Sequence, residues 1–193
     1  MIIMITMNRF LKLLERINID SIEDDIRDIL VDNGIIKGGV LQDDARLQIA
    51  LLALKNGNSI DEVAKALSWK DFERFASIIL QEYGYQVYNS IRIKRREIDI
   101  LAIDNDLALV IDCKHWKYNN KSRLRYAINK QIERVRLLFT SDRFEFKYAI
   151  PVILTLYEDV KFIDNVPIVS IEKFSSFINE YKGYTDMLLV IKC

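Results

Sequence analysis

The 193-residue chain carries 28 basic and 28 acidic side chains, half of its residues are hydrophobic, and it holds one histidine and two cysteines. That length suits one domain, or one domain with a small appendage, and the apolar share supports a sizeable core. The lone His115 excludes a multi-histidine zinc site within one chain, while Cys113 and Cys193 form neither a disulfide framework nor a Cys-x-x-Cys knuckle.

The opening Met1–Ile5 is apolar but has no basic leader and stops at Asn8-Arg9. It is too short for a signal or a membrane span, so no membrane partner and a reducing, cytoplasmic setting are expected. Met7, Phe10, Leu11, Leu14 and Ile17 recur at helical spacing and predict a first amphipathic helix. Ser21 with Asp24 predicts the start of a second, closed by Gly34. Arg46 to Lys55 reads as a third, stopped by Asn56-Gly57. Ser59 with Glu62 forms a capping box for a fourth through Leu67, and Ser68 with Asp71 caps a fifth that runs to Tyr83 and ends at Gly84. The helix–turn–helix arrangement in Arg46–Phe75 offers Ser59–Leu67 to DNA in one reading. The acidic N-terminal end of that helix, Asp61-Glu62, favours packing or dimerisation instead.

Beyond Gly84 the pattern changes period. Tyr85 to Ile93 is strand-like, and Glu97–Ile103 and Leu107–Lys114 are apolar β-rich runs joined by Asp104-Asn105-Asp106. A two-residue loop at Asn105-Asp106 pairs Asp104 with Leu107, and in that register Asp99 faces Asp112 with Cβ atoms about 5 Å apart. Facing carboxylates destabilise a sheet unless a cation lies between them, and Mg²⁺ prefers such oxygen ligands. Lys114 projects from the same face as Asp112, although it could instead pair with Glu97. A β-bulge would break the juxtaposition altogether. Cys113 alternates to the opposite face and is expected to pack as a small apolar side chain. Leu124 to Phe139 reads as a basic amphipathic helix, Tyr148–Tyr157 and Val166–Ser170 as strands, Ile171–Tyr181 as a helix and Met187–Ile191 as a last strand. A crossover helix between the hairpin and the next strand implies a parallel connection and a mixed sheet. The expected organisation is a helical region over 1–67 and an α/β domain over 68–193.

Charge is unevenly spread. Residues 1–89 are net −4, residues 90–136 net +6 and residues 137–193 net −2. The basic excess brackets the Asp99/Asp112/Lys114 hairpin. Arg92, Lys94, Arg95 and Arg96 precede it, and Lys117, Lys121, Arg123 and Arg125 follow. A positive field around an acidic site suits a polyanion such as nucleic acid. Trp116 and Tyr118 are candidates for base stacking, with capping of the core the competing role. Gln131, on the following helix, is a candidate for contact with the site or with nucleic acid.

The segment from Asp71 to Trp116 resembles the PD-(D/E)xK nuclease superfamily, especially Mrr-type restriction endonucleases and archaeal Holliday-junction resolvases. The resemblance is carried by Asp71-Phe72-Glu73-Arg74-Phe75 on a helix, by Tyr83-Gly84-Tyr85 leading into a strand, and by Glu97-Ile98-Asp99-Ile100 and Ile111-Asp112-Cys113-Lys114 on the hairpin. Val166–Ile171 followed by a helix is similar to the family's closing strand and helix. Ile98 stands where the motif's name has proline, and Lys94-Arg95-Arg96 stands where many Mrr-like members have a glycine-rich loop. The resemblance implies a restriction-endonuclease-like fold, a mixed sheet flanked by helices. It also implies Mg²⁺-dependent (or Mn²⁺-dependent) hydrolysis of DNA phosphodiesters, and commonly a homodimer. It gives Asp99, Asp112, the Cys113 carbonyl and Glu73 as metal ligands and Lys114 as the residue that orients the attacking water. Restriction sites, branched junctions, flaps and RNA all remain open as substrates, and a nuclease fold that binds or regulates without cutting is the alternative.

Overall fold

The computed structural model describes residues 2–116, 120–157 and 161–192, without the side chains of 2–8 and 161. Lys117 and Tyr118 lie outside the described residues. The chain divides into two compact units, one up to Asp71 and the other from Phe72.

The first unit comprises helices α1 (Ile2–Glu15), α2 (Asp24–Asp32), α3 (Ala45–Lys55) and α4 (Ile60–Ala66), with a small hairpin of β1 (Ile36–Lys37) and β2 (Val40–Leu41). Phe10 and Leu14 of α1 are buried with Ile49, Ala50 and Ala53 of α3 and Val63 and Ala64 of α4. Arg46 ties the helix ends together. Its Nη1 donates to the Leu14 carbonyl at 2.5 Å and to the Ala66 carbonyl at 3.4 Å, supplying partners to carbonyls that helix termini leave unpaired. The Ser59–Glu62 capping box forms, the Ser59 amide donating to Glu62 Oε2 at 3.1 Å. Ser21, in contrast, does not start α2. It closes a 3₁₀ turn over Ile19–Ser21 capped by Asn18, whose side chain accepts from the Asp20 amide at 3.1 Å.

Helix α5 (Trp69–Glu82) spans the boundary between the units and ends at Gly84, whose φ of +85° is the left-handed conformation that glycine adopts without strain. The second unit then builds a seven-stranded mixed sheet from β3 (Gln86–Ile93), β4 (Arg96–Asp104), β5 (Leu107–Lys114), β6 (Tyr148–Thr155), β7 (Lys161–Ile163), β8 (Val166–Ser170) and β9 (Ile191–Lys192). The order is β3-β4-β5-β6-β8-β7, with β9 beside β6. The crossover helix α6 (Lys121–Leu138) makes β5 and β6 parallel, β6 and β8 are parallel, and the remaining pairings are antiparallel. Helix α7 (Ile171–Glu180) follows β8, then a 3₁₀ segment, Tyr181–Met187, and of the strand expected over Met187–Ile191 only Ile191 is in β9.

Two departures from regular pairing shape the sheet. Pro151 interrupts the donors of β6, yet β6 pairs with β9 only at Tyr148 and Ala149 and with β8 only from Ile153. The missing N–H therefore falls where β6 pairs with β5 alone. The second departure concerns β3 and β4. Their ladder joins Ile91 to Ile98 and Asn89 to Ile100 but omits Ser90 and Asp99. Ser90 has φ +51°. Strict alternation puts residues three apart on opposite faces, yet Tyr88 packs with Ile91, and Ile98 with Leu101, in one cluster. The pleat is broken at Asp99.

Helix α6 crosses the sheet. Leu124, Ala127 and Ile128 pack on Ile153, Val166 and Ile168, while Val135 and Leu138 reach Ile91, Ile93, Ile98 and Val110. That crossing carries its middle turns over β5. Among the described residues no helix is long and apolar enough to cross a membrane.

Candidate active site

The β4–β5 hairpin turns at Asn105-Asp106, where Asn105 has φ +54°, a conformation asparagine tolerates because its side chain bonds locally. The ladder runs from Asp104↔Leu107 to Ile100↔Ile111 and stops one pair short of Asp99 and Asp112. Beyond that point the side chain takes over from the backbone. Asp99 Oδ2 accepts a hydrogen bond from the Cys113 amide at 2.8 Å. The two aspartates thus meet where the strands part rather than as a ladder pair, and the opening between β4 and β5 is lined by acids.

Asp112 is 1% exposed. Its Oδ1 accepts from Arg134 Nη1 of α6 at 2.5 Å. Lys114 Nζ lies 2.7 Å from Oδ2 as an ion pair, but outside hydrogen-bonding geometry, so that Oδ2 is a buried oxygen without a hydrogen bond. Lys114 is committed to Asp112; Glu97 pairs instead with Arg92 at 3.6 Å. Gln131 is fully buried. Its Nε2 donates to the Val110 carbonyl at 2.7 Å and its Oε1 accepts from Arg134 Nη1 at 3.2 Å. That burial removes Gln131 from contact with nucleic acid and corrects the expectation drawn from its helix position: it braces the site from behind.

The three carboxyls share one field. Burial pushes Asp99 up to about 6, with the Asp112 charge adding to the effect. Glu73, on α5, is pushed up to about 7, by burial first and then by Asp99 and Glu97. They do not close into one ligand set. Among the described residues no three His, Cys, Asp or Glu side chains come close enough together to hold a metal ion. Cys113 is half-buried, and loss of solvent pushes its thiol well up. The His115 ring stands edge-on to Phe72 at 5.6 Å with a buried Nε2 lacking a hydrogen bond.

The donor chemistry suits a hard divalent cation. Asp99 and Asp112 present carboxylate oxygens, and Asp112 Oδ2 is buried without a hydrogen bond.

Around the site Arg92, Lys94, Arg95 and Arg96 are exposed on the β3–β4 turn, and Lys121, Arg123 and Arg125 on the first turns of α6. Arg96 is shared with Glu133 at 3.3 Å. The Arg123 guanidinium lies 4.0 Å from the centre of the Trp116 ring, with Lys114 Nζ at 5.7 Å, so this tryptophan is flanked by cations. Arg134 is the site residue that sequence reasoning missed. Nothing in the local pattern of α6 distinguishes it, because its role comes from the crossing of α6 over β5. The three-residue step from Gln131 to Arg134 puts both on one helix face but does not point that face at Asp112.

The mixed sheet opens between two adjacent strands, β4 and β5, and presents Asp99, Asp112 and Lys114 there. Residues 64–141 match the restriction endonuclease family Mrr_cat, and this part of the chain is a restriction-endonuclease-like domain. Two solved structures are similar at low identity. One is Can2 from Sulfobacillus thermosulfidooxidans in complex with cyclic tetra-adenylate, 16% identical over 93% of this chain and 51% of that one, with a TM-score of 0.40. The other is VC1899 from Vibrio cholerae, 12% identical over 95% of this chain and 52% of that one, also with a TM-score of 0.40. The chain spans about half the length of each. No curated protein matches it.

Proposed function

We propose that the second unit is a metal-dependent endonuclease that hydrolyses phosphodiester bonds in DNA. The observation that carries this reading is the buried Asp112, with Lys114 Nζ 2.7 Å from an oxygen that makes no hydrogen bond, next to an Asp99 anchored on the Cys113 amide. Asp99 and Asp112, with the Cys113 carbonyl, would hold Mg²⁺ or Mn²⁺, and Glu73 stands near enough to feel their charge. A bound divalent cation supplies a water of lowered pKa and neutralises charge on the phosphate. Lys114 orients the attacking water and stabilises the charge that develops on the phosphate. The exposed Lys94, Arg95, Lys121 and Arg123 hold the polyanion by its phosphates, an attraction that weakens with salt. A homodimer, as the family resemblance implies, would let two such sites address the two strands of a duplex.

A second reading, a nuclease fold that binds DNA without cutting it, is favoured by the two cations already at Asp112 and by the unclosed ligand set. One experiment separates the two. End-labelled four-way junction, duplex and single-stranded DNA, and RNA, are incubated with Mg²⁺ or EDTA and with wild type or Asp112→Ala. Cleavage that needs metal and disappears in the variant supports the nuclease, and the preferred substrate names its class. Binding without cleavage in every lane replaces it with the second reading.

A further inference from the structure

We infer that Arg134 is a positioning residue of this site, holding Oδ1 of Asp112 so that Oδ2 alone is offered to a divalent cation; the inference rests on the nuclease reading above. The argument starts from a closed chain of contacts. The Val110 carbonyl accepts from Gln131 Nε2 at 2.7 Å, Gln131 Oε1 accepts from Arg134 Nη1 at 3.2 Å, and the same nitrogen donates to Asp112 Oδ1 at 2.5 Å. Val110 and Asp112 are two residues apart on one face of β5, and Gln131 and Arg134 three apart on one face of α6. Gln131 has no exposed surface, so its amide has one arrangement that satisfies both ends. The clamp therefore fixes the guanidinium, and the guanidinium fixes the carboxylate.

A carboxylate with two free oxygens takes a divalent cation through one oxygen or both. With Oδ1 held by Arg134, only the single-oxygen mode remains. The two cations at Asp112 are not equivalent. Arg134 is braced by Gln131, whereas Lys114 is a compact charge on a flexible stem. A cation held at Oδ2 would compete with the unbraced Lys114 rather than with Arg134. Lys114 would then be free to serve the water and the phosphate. Arg134 divides the work of the carboxylate between anchoring and coordination.

The test uses the full chain as wild type, Asp112→Asn, Arg134→Met and Arg134→Lys. Mn²⁺ uptake without DNA is followed by the resonance of the free ion, and kcat and KM are measured with the DNA that wild type cuts best. Asp112→Asn should lose Mn²⁺ affinity. Arg134→Met should bind Mn²⁺ at least as tightly as wild type, because a competing charge is gone, while kcat falls about tenfold or more at little-changed KM. Arg134→Lys should lie between. A purely structural arginine would lose metal affinity, KM and melting temperature together, and that outcome overturns the inference, as does an unchanged kcat. If Arg134→Met does not fold, Arg134→Lys decides, with kept Mn²⁺ affinity and lowered kcat supporting it and unchanged kcat overturning it. Wild type that neither takes up Mn²⁺ nor cuts overturns the nuclease reading and this inference with it. Wild type that cuts beside an unaffected Arg134→Met overturns only the inference.

Discussion

Gln131 Nε2 donates to the Val110 carbonyl at 2.7 Å, and this bond from a side chain with no exposed surface joins α6 to β5 beside the Arg134–Asp112 pair. Gln131→Leu keeps the volume and removes both the donor and the brace on Arg134. It should cost about 1 to 2 kcal/mol, read as a lower urea midpoint at unchanged m-value. A midpoint that does not move would mean that packing alone seats α6.

The acid cluster gives the stability of the metal-free protein a definite slope with pH. Asp99 at about 6 and Glu73 at about 7 both bind a proton more tightly folded than unfolded. Their contribution is therefore fully present in the acid range below the ordinary carboxylate values. It is lost as pH rises through about 6 and about 7. In EDTA the urea midpoint should fall between pH 5 and pH 8 on this account, and Mg²⁺ should raise the midpoint more at pH 8 than at pH 5. A midpoint that climbs with pH in EDTA would contradict the burial of these carboxyls.

Far from that site, the Tyr85 and Tyr181 hydroxyls share a buried hydrogen bond of 3.0 Å, linking the entry to β3 with the 3₁₀ segment after α7. Tyr181→Phe leaves the Tyr85 hydroxyl unpaired and should cost about 1 kcal/mol or somewhat more, measurable by thermal unfolding. DNA cleavage by the folded variant should be unchanged.

Ser90 offers a test of backbone strain. At φ +51° an L-residue carries a penalty of about 1 to 2 kcal/mol that glycine escapes. Ser90→Gly should therefore leave stability unchanged or raise it by up to about 1 kcal/mol. Ser90→Val, β-branched, should lower it. Equal stability for both variants would mean that the loop-like geometry at this position relaxes freely.

The parts of the fold written in local sequence were the parts legible in advance. Asn105-Asp106 turns the β4–β5 hairpin in the register that its apolar runs imply, and Ser59 with Glu62 caps α4 as their spacing implies. Short elements escaped. Ile36–Lys37, Val40–Leu41 and Lys161–Ile163 are too brief to show a period, and the last strand, expected over Met187–Ile191, is Ile191–Lys192, paired with Tyr148 and Ala149 of β6. Ser21 misled because Asn18, three residues earlier, captures the turn first. At the site, Asp99, Asp112 and Lys114 were visible on the strands that bear them. Arg134 was not, since only the crossing of α6 over β5 brings a helix arginine to a strand aspartate 22 positions away.

The broken pleat at Ser90 also affects the outer boundary of the molecule. Among the described residues β3 pairs with β4 alone within the seven-stranded sheet, so it is an edge strand with an outer row of backbone groups, the usual template for strand-to-strand aggregation. The left-handed residue interrupts that row midway, and the charged Arg92 beyond it is 83% exposed. A foreign strand therefore has no straight edge of full length along which to zip, and the distortion that seats Asp99 doubles as protection against self-association through the sheet.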